Sequence, residues 1–154
     1  MAKEIERKFL VLDDSYKAKS YSRMDISQGY ISVDADATVR VRICGSSAWI
    51  TVKSRTRGAT RGEWEYPVPL ADAREMLAEC CALRVVEKTR WCVDAGNGLC
   101  WEVDEFHGRH RGLVVAEIEL PSEEAPFVRP SFVGEEVTGR PEYYNSSLAS
   151  APLS

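Results

Sequence analysis

Charged residues recur at every second position in several short segments of the chain. Because successive side chains of a β-strand point to opposite faces, residues two apart share one face. Seven segments carry such a same-face pair or triplet of charges. These are Glu4, Glu6 and Lys8; Arg40 and Arg42; Lys53 and Arg55; Glu63 and Glu65; Lys88 and Arg90; Glu102 and Asp104; and Glu117 and Glu119. Rows this regular favour a shared interior over a solvent face.

The signs of these charges are sorted by segment. Three segments are purely basic, three are purely acidic, and only the first mixes both signs. Basic side chains suit a polyanion, whereas clustered carboxylates suit hard divalent cations such as Mg²⁺ or Mn²⁺. A metal-bound phosphate chain satisfies both groups, and phosphoryl chemistry uses this combination. The Gly-x-x-x-x-Gly-Lys-Ser/Thr pattern of a P-loop does not occur in the sequence.

The alternate positions of the same segments are mostly apolar. Val39 and Val41 flank Arg40, and Trp101 and Val103 flank Glu102. In a small domain the large aromatic residues should be covered, so we expect helices to pack against this apolar layer. The charged rows then face the lumen of a barrel. Such a lumen cannot be a dry core, because unpaired buried charges are costly.

The segments predict a mainly β fold of the α+β class, in which an eight-stranded antiparallel closed β-barrel carries a few helices packed outside. We expect one domain over residues 1–154. Helices are predicted over 13–19, over 70–83 with Asp72 as a capping residue, and over 142–149. Strands are predicted near 4–11, 24–33, 37–44, 48–56, 63–69, 85–94, 99–107 and 113–120.

The composition excludes several classes of protein. Hydrophobic residues make up 44% of the 154 residues and charged residues 29%, which is typical of a globular domain. No apolar run is long enough for a membrane span, and the charged N-terminus does not resemble a secretory signal, so we expect a cytoplasmic protein without membrane contact. The net charge of −4 argues against nucleic-acid binding. A homodimer is compatible with the sequence, which does not set the oligomeric state.

The charged rows lie within motifs that resemble those of one known family. Glu4-Ile5-Glu6-Arg7-Lys8 is similar to the Glu-x-Glu-x-Lys signature of the CYTH superfamily, the triphosphate tunnel metalloenzymes. Further matching segments follow in the family's order, and the compact length resembles the bacterial inorganic triphosphatase branch. They are Gln28-Gly29-Tyr30, Val39-Arg40-Val41-Arg42, Thr51-Val52-Lys53, Glu63-Trp64-Glu65, Glu87-Lys88-Thr89-Arg90, Trp101-Glu102-Val103-Asp104, Ala116-Glu117-Ile118-Glu119 and Tyr144-Asn145.

The resemblance implies a role for each charged row. Residues expected to bind phosphate are Lys8, Arg40, Arg42, Lys53, Arg55, Lys88 and Arg90. Residues expected to hold Mg²⁺ or Mn²⁺ are Glu4, Glu6, Glu63, Glu65, Glu117 and Glu119, with Glu102 and Asp104 completing or supporting that shell. The resemblance also implies a catalytic role for Lys88 and Tyr30, together with Glu4 and Glu6. A buried tyrosine with a satisfied hydroxyl is the alternative for Tyr30.

The leading hypothesis is a metal-dependent inorganic triphosphatase that hydrolyses tripolyphosphate to pyrophosphate and phosphate. The same barrel could instead act on an organic triphosphate, by ATP hydrolysis, class IV-type adenylate cyclase chemistry or thiamine triphosphate hydrolysis, with Trp49 as the candidate stacking residue. A non-catalytic polyphosphate-binding module and a barrel with merely solvated charges are further alternatives. Arg57 and Arg61 could attract phosphate from their loop, although a solvated turn is the simpler interpretation.

Overall fold

The computed structural model of the protein describes residues 3–150. Within that range it contains one nine-stranded sheet, three α-helices and two 3₁₀ turns over Gly108–His110 and Pro141–Tyr143. The helices are α1 (Tyr16–Lys19), α2 (Leu70–Glu79) and α3 (Asn145–Ser150). The strands are β1 (Lys3–Val11), β2 (Ser20–Asp34), β3 (Ala37–Cys44), β4 (Ser47–Lys53), β5 (Thr60–Pro67), β6 (Val85–Gly96), β7 (Leu99–Phe106), β8 (Val114–Glu119) and β9 (Val133–Glu136).

The sheet closes on itself through β1. One edge of β1 pairs with β8, from Glu6 opposite Glu119 to Leu10 opposite Val115, and the other edge pairs with β5 over its first three residues. The remaining neighbours follow in the order β5, β4, β3, β2, β6, β7 and β8, all antiparallel. The predicted eight-stranded antiparallel closed barrel is therefore confirmed.

The ninth strand was not expected from the sequence. β9 pairs with β1 beyond the segment that contacts β5, with Glu136 opposite Phe9 and Val133 opposite Val11. Val133–Glu136 contains a glycine and two consecutive glutamates, so it shows no alternation that could predict a strand. β9 continues the pairing along one edge of β1 beyond β5, and it takes no part in closing the barrel.

Alternation along the strands places the apolar rows outside the barrel, as predicted. Phe9 and Trp101 are fully buried there, with ring centroids 5.5 Å apart in an edge-to-face arrangement. Tyr16 of α1 and Phe132 complete this outer cluster. On the opposite side of the barrel, Ala73 of α2 is buried against the outer face of β3 and β4. The hydrophobic core thus surrounds the barrel, which leaves the lumen for polar side chains.

The cover is incomplete on β5, which corrects the expectation that every large aromatic is buried. Trp64 and Tyr66 lie in the outer row of β5 and are 40% and 59% exposed. The reason is that α2 packs mainly on β3 and β4, which leaves the outer row of β5 partly in solvent. Asp72 also does not cap α2, because the helix begins at Leu70 and its N-cap position is Pro69.

The other helices differ from the predicted bounds at their beginnings. α1 starts at Tyr16 rather than at residue 13, and α3 starts at Asn145 because Pro141–Tyr143 forms a separate 3₁₀ turn. The later start of α3 has a consequence for the site, since it turns Asn145 towards the barrel. Among the helices of residues 3–150, none has both the length and the apolarity that crossing a membrane would require.

The outer core is expected to carry much of the stability of the fold. Replacing Leu120, which is 4% exposed, by alanine should lower the free energy of unfolding by about 2–5 kcal/mol, because it deletes packed methyl groups. The same substitution at Leu83, which is 86% exposed, should change it by less than about 0.5 kcal/mol. Chemical denaturation of both variants measures this difference. Equal effects at the two leucines would contradict the assigned core.

Candidate active site

The charged rows converge on one cavity of about 170 Å³ inside the barrel. All but two of the site residues predicted from the sequence line it. Those that do are Glu4, Glu6, Lys8, Tyr30, Arg40, Arg42, Lys53, Glu63, Glu65, Lys88, Arg90, Glu102, Glu117 and Glu119. The strand register explains this convergence, because charged residues of neighbouring strands stand opposite one another, as Lys8 does with Glu117 and Lys53 with Glu63.

Arg55 does not reach the cavity, and the prediction that it continues the inward row of Lys53 is wrong. β4 ends at Lys53, so the alternation that would have turned Arg55 inwards stops two residues before it. The side chain of Arg55 is 57% exposed and forms an ion pair with Asp36 at the barrel surface. Surface pairs of this kind contribute little to stability.

Asp104 points inwards but is sealed behind the wall of the cavity, which corrects its predicted place among the metal ligands. It is fully buried, and it accepts hydrogen bonds from Nε and Nη2 of Arg90 at 2.8 and 2.9 Å. Its Oδ2 also lies 2.8 Å from Nζ of Lys88. Burial alone would raise the pKa of Asp104, but the two cations outweigh burial and lower it. Asp104 therefore holds Lys88 and Arg90 in place.

The basic side of the cavity contains more positive charge than its neighbours neutralise. Burial and the nearby charges of Arg40 and Arg90 lower the pKa of Arg42 to about 10. The Nε atoms of Arg40 and Arg42 are buried and have no hydrogen-bond partner among residues 3–150. Unpaired guanidinium donors beside a cavity are suited to bind an anion with several oxygen atoms.

On the acidic side, Glu4 is held by two cations. Its carboxylate lies 3.2 Å from Nζ of Lys53 and 3.3 Å from Nε of Arg61. Burial would raise the pKa of Glu4, but these cations lower it to about 2. Lys53 also lies 3.2 Å from Glu63, so one ammonium bridges carboxylates of β1 and β5. Glu4 is thus ionised throughout the neutral range.

Glu6 and Glu117 have pKa values displaced in opposite directions. Burial and the charges of Glu117 and Glu4 raise the pKa of Glu6 well above its usual range. Burial would also raise the pKa of Glu117, but Lys8, 3.8 Å away, and a hydrogen bond from Glu6 keep it well below its usual range. The raised pKa of Glu6 favours its protonated form beside the ionised Glu117. This part of the cavity contains more carboxylates than its cations neutralise.

A divalent metal fits the donor chemistry of this acidic cluster. Mg²⁺ and Mn²⁺ prefer carboxylate oxygens, and the raised pKa of Glu6 marks a place where additional positive charge is favourable. Within residues 3–150, however, no three of these side chains converge on a common point at ligand distances. The residue types fit the metal, and the side chains must reorient to bind it.

Asn145, the first residue of α3, lines the cavity and so connects it to that helix. The carboxamide of Asn145 accepts a hydrogen bond from Nζ of Lys88, 2.9 Å from Oδ1. Burial lowers the pKa of Lys88 to about 7, although Asp104 opposes this shift. Tyr30 lines the same region, and its ring packs against Leu148 of α3. The beginning of α3 therefore forms one end of the cavity.

Sequence reasoning missed five residues that line the cavity. Arg61 was interpreted as a solvated turn, yet it lies in β5 and pairs with Glu4. Its parity with Glu63 and Glu65 was a usable signal, because all three share one face once the strand is extended back to Thr60. Thr38 carried the same signal, because it lies two residues before Arg40 in β3. No periodic signal marked Tyr144, Asn145 and Ser146, whose place at the cavity depends on tertiary packing.

The sequence of the chain is similar to that of known proteins. The model of the CYTH domain family matches residues 2–150 of the chain. The chain belongs to the CYTH domain family. It is 46% identical over 152 residues to an inorganic triphosphatase of Acetivibrio thermocellus, which spans 99% of this chain and 96% of that protein. An inorganic triphosphatase of Nitrosomonas europaea is 36% identical over 149 residues, 95% of this chain and 96% of that protein.

A solved structure shows the same fold. The crystal structure of an inorganic triphosphatase superposes on this CYTH protein with a TM-score of 0.69 at 31% sequence identity, and the match covers 100% of this chain and 99% of the other. Family, fold and cavity therefore agree, and the resemblance inferred from the sequence motifs is confirmed.

The buried cluster around Asp104 gives a test of how the site is held. Asp104→Asn should lower the free energy of unfolding by about 3–5 kcal/mol, because it leaves two buried cations without their shared anion. Because the folded-state pKa of Asp104 is lowered, its contribution is present at neutral pH and lost as the pH falls through that value.

Chemical denaturation at pH 7 measures this loss. Asp36→Asn, which removes a carboxylate from the exposed pair with Arg55, is the matched control and should leave stability unchanged. A neutral effect of Asp104→Asn would show that the cluster does not hold the barrel wall together.

Proposed function

We propose that the protein is a metal-dependent triphosphatase that hydrolyses inorganic tripolyphosphate to pyrophosphate and phosphate. The observation that carries the proposal is a closed barrel whose cavity is lined by arginines and lysines on one side and carboxylates on the other. The relatives named inorganic triphosphatase match nearly the whole chain, which supports the same activity here. Hydrolysis of this kind depends on positioning and charge stabilisation.

The basic residues would hold the phosphate chain. Arg40, Arg42 and Arg90 can each present a fork of N–H donors to phosphate oxygens. Lys8 of β1, Lys53 of β4 and Lys88 of β6 supply point charges. Since the unpaired Nε atoms of Arg40 and Arg42 already lie beside the cavity, a bound polyanion would satisfy donors that have no partner in the described residues. Arg61 adds a further cation beside Glu4.

The carboxylates would hold the metal and the attacking water. Glu6, Glu117 and Glu119 from neighbouring strands β1 and β8 are the first candidates, with Glu4, Glu63, Glu65 and Glu102 around them. Bound Mg²⁺ or Mn²⁺ would neutralise developing negative charge and lower the pKa of a coordinated water. Glu4 and Glu6 would help to orient the attacking water on the acidic side. Lys88 and Tyr30 would contact the reacting phosphate from the opposite end.

The residues around the cavity favour an inorganic substrate over an organic triphosphate. Recognition of a base or thiazole ring needs an aromatic or apolar surface. Trp49, the predicted stacking residue, is not among the cavity-lining residues in the described part of the chain. Tyr144 is engaged by cations, since Nζ of Lys8 lies 5.7 Å and the guanidinium of Arg61 lies 5.9 Å from its ring centroid. A purely binding module would gain nothing from carboxylates that repel its ligand.

The proposal places this activity in the cytoplasm. All five cysteines are free thiols, and two of them, Cys81 and Cys92, are buried. Unpaired thiols agree with a reducing compartment. A homodimer stays a prediction.

Phosphate release from tripolyphosphate, ATP and thiamine triphosphate, each with and without Mg²⁺ or Mn²⁺, tests the proposal. We expect turnover of tripolyphosphate that requires the metal and exceeds turnover of the two organic substrates. Preferred use of ATP with cyclic AMP as product would overturn the inorganic assignment. Binding of tripolyphosphate without turnover would instead identify a binding module.

If the basic side of the cavity binds phosphate and the acidic side binds the metal, substitutions on the two sides should have different kinetic effects. Arg42→Ala should raise KM for tripolyphosphate about tenfold or more, because a charge-assisted hydrogen bond contributes about 1.5–3 kcal/mol. Glu117→Gln should mainly lower metal-dependent kcat, by about 100-fold, since charge stabilisation at the reacting phosphate is lost. Steady-state kinetics measure both changes.

The exposed residues Arg74 and Glu124 provide matched controls. Arg74→Ala and Glu124→Gln make the same chemical changes away from the cavity and should leave both constants unchanged. If Arg42→Ala and Glu117→Gln also retained wild-type kinetics, the cavity would not be the active site.

A further inference from the structure

The amino group of Lys88 is held by two acceptors, Asp104 behind the cavity wall and Asn145 at the end of the cavity formed by α3. Lys88 is 2% exposed, and its Nζ lies 2.8 Å from Oδ2 of Asp104 and 2.9 Å from Oδ1 of Asn145. A lysine ammonium has three N–H donors and no acceptor. Two of its donors are therefore used, and the third is available to the cavity that Lys88 lines.

The contact with Lys88 fixes the orientation of the Asn145 carboxamide. In the ammonium form, which the carboxylate of Asp104 favours, Lys88 offers only donors, so the oxygen of Asn145 and not its nitrogen faces it. The same oxygen lies 3.0 Å from Nε2 of Gln28, a side chain of β2 that is fully buried. Gln28 must therefore turn its NH₂ group towards Asn145, since its own oxygen would meet a second acceptor there.

The orientation of Gln28 in turn sets the polarity of the Tyr30 hydroxyl. The second N–H of Gln28 donates to Oη of Tyr30 at 2.9 Å. In this arrangement Oε1 of Gln28 has no hydrogen-bond partner among residues 3–150, so the two donated bonds determine the orientation. Since the Tyr30 oxygen accepts from Gln28, the Tyr30 hydrogen is directed elsewhere, and Tyr30 lines the cavity.

The packing and hydrogen bonds of α3 fix the position of Asn145, where this chain of hydrogen bonds starts. Leu148 and Ala149 of α3 are buried against Tyr30, Val86 and Phe106. His110 contacts the carbonyl oxygen of Leu148, and Arg109 donates to that of Ala149. Asn145 is thus fixed relative to β2 and β6 even though it comes from a different part of the chain.

We propose that Asn145 is a positioning residue which, directly and through Gln28, aims the free N–H of Lys88 and the O–H of Tyr30 into the cavity as hydrogen-bond donors. Tyr30 then donates to a phosphate oxygen of the substrate and does not act as a base. This assignment rests on the proposed triphosphatase function for the identity of the ligand. It makes the amides of Gln28 and Asn145 part of phosphate recognition although neither needs to contact phosphate.

Substitutions at Gln28 test directly whether the Tyr30 hydroxyl donates its hydrogen into the cavity. Gln28→Glu keeps the shape but presents carboxylate oxygens, which would accept the Tyr30 hydrogen and withdraw it from the cavity. Gln28→Leu removes both amide donors. Tyr30→Phe should lower kcat/KM for tripolyphosphate about tenfold, the size of a lost hydrogen bond to a charged group, and Gln28→Glu should lower it as much.

A double-mutant cycle separates this role from a structural one. If Gln28 acts through Tyr30, then Gln28→Leu should cost nothing further in the Tyr30→Phe background. Asn145→Leu should lose activity about tenfold and likewise lose less in that background. Ser147→Ala, in the same helix, is the control for disturbing α3 and should stay within twofold of the wild type. Multiplying losses, or wild-type kinetics of the Gln28 and Asn145 variants, would overturn the proposal.

A binding measurement keeps this result independent of the proposed function. The same cycle can be measured as the Kd of tripolyphosphate by calorimetry in metal-free buffer, where turnover plays no part. Failure of wild-type turnover together with non-additive Kd values would overturn the triphosphatase assignment and retain the positioning role. Normal turnover with additive Kd values would overturn the positioning role alone.

Discussion

The cost of burying charge is the constraint on which this structure depends. An uncompensated ion in a protein interior costs several kcal/mol, so an inward charged side chain of the barrel needs either a partner or a ligand of opposite charge. Asp104 meets this requirement for Lys88 and Arg90 from behind the cavity wall. Glu4 of β1 meets it for Lys53 of β4, with only β5 between the two strands. The register of the strands therefore brings opposite charges together as well as pairing backbone groups.

These ion pairs serve two different purposes. The pairs around Asp104 are fully buried and fix the direction of the cations that would bind phosphate. The pairs of Lys53 with Glu4 and of Lys8 with Glu117 border the cavity, where phosphate and metal could replace each partner. The cavity would then exchange internal neutralisation for neutralisation by its ligands. This accounts for the raised pKa of Glu6, a carboxylate that burial and its neighbours leave without a sufficient counter-charge.

Period-two reasoning predicted the barrel and most of its lining because a closed sheet preserves alternation around the whole ring. It failed where alternation ends. Arg55 lies two residues beyond the end of β4 and turns outwards. Arg61 lies inside β5, which begins at Thr60, earlier than expected. Asn145 lies in the Tyr144-Asn145 segment that resembles the family, but its contact with Lys88 could not be predicted, because its position depends on α3 packing against residues of β2 and β6 that are distant in sequence.

The central claim is that the internal ion pairs exchange for a metal-bound triphosphate. A crystal structure with Mn²⁺ and a methylene-bridged triphosphate, which resists hydrolysis, tests it most directly. The account predicts an anomalous manganese peak among Glu6, Glu117 and Glu119, and Nζ of Lys53 on a phosphate oxygen rather than on Glu4. A triphosphate bound elsewhere, with the pair of Lys53 and Glu4 intact and no metal at the carboxylates, would contradict the account.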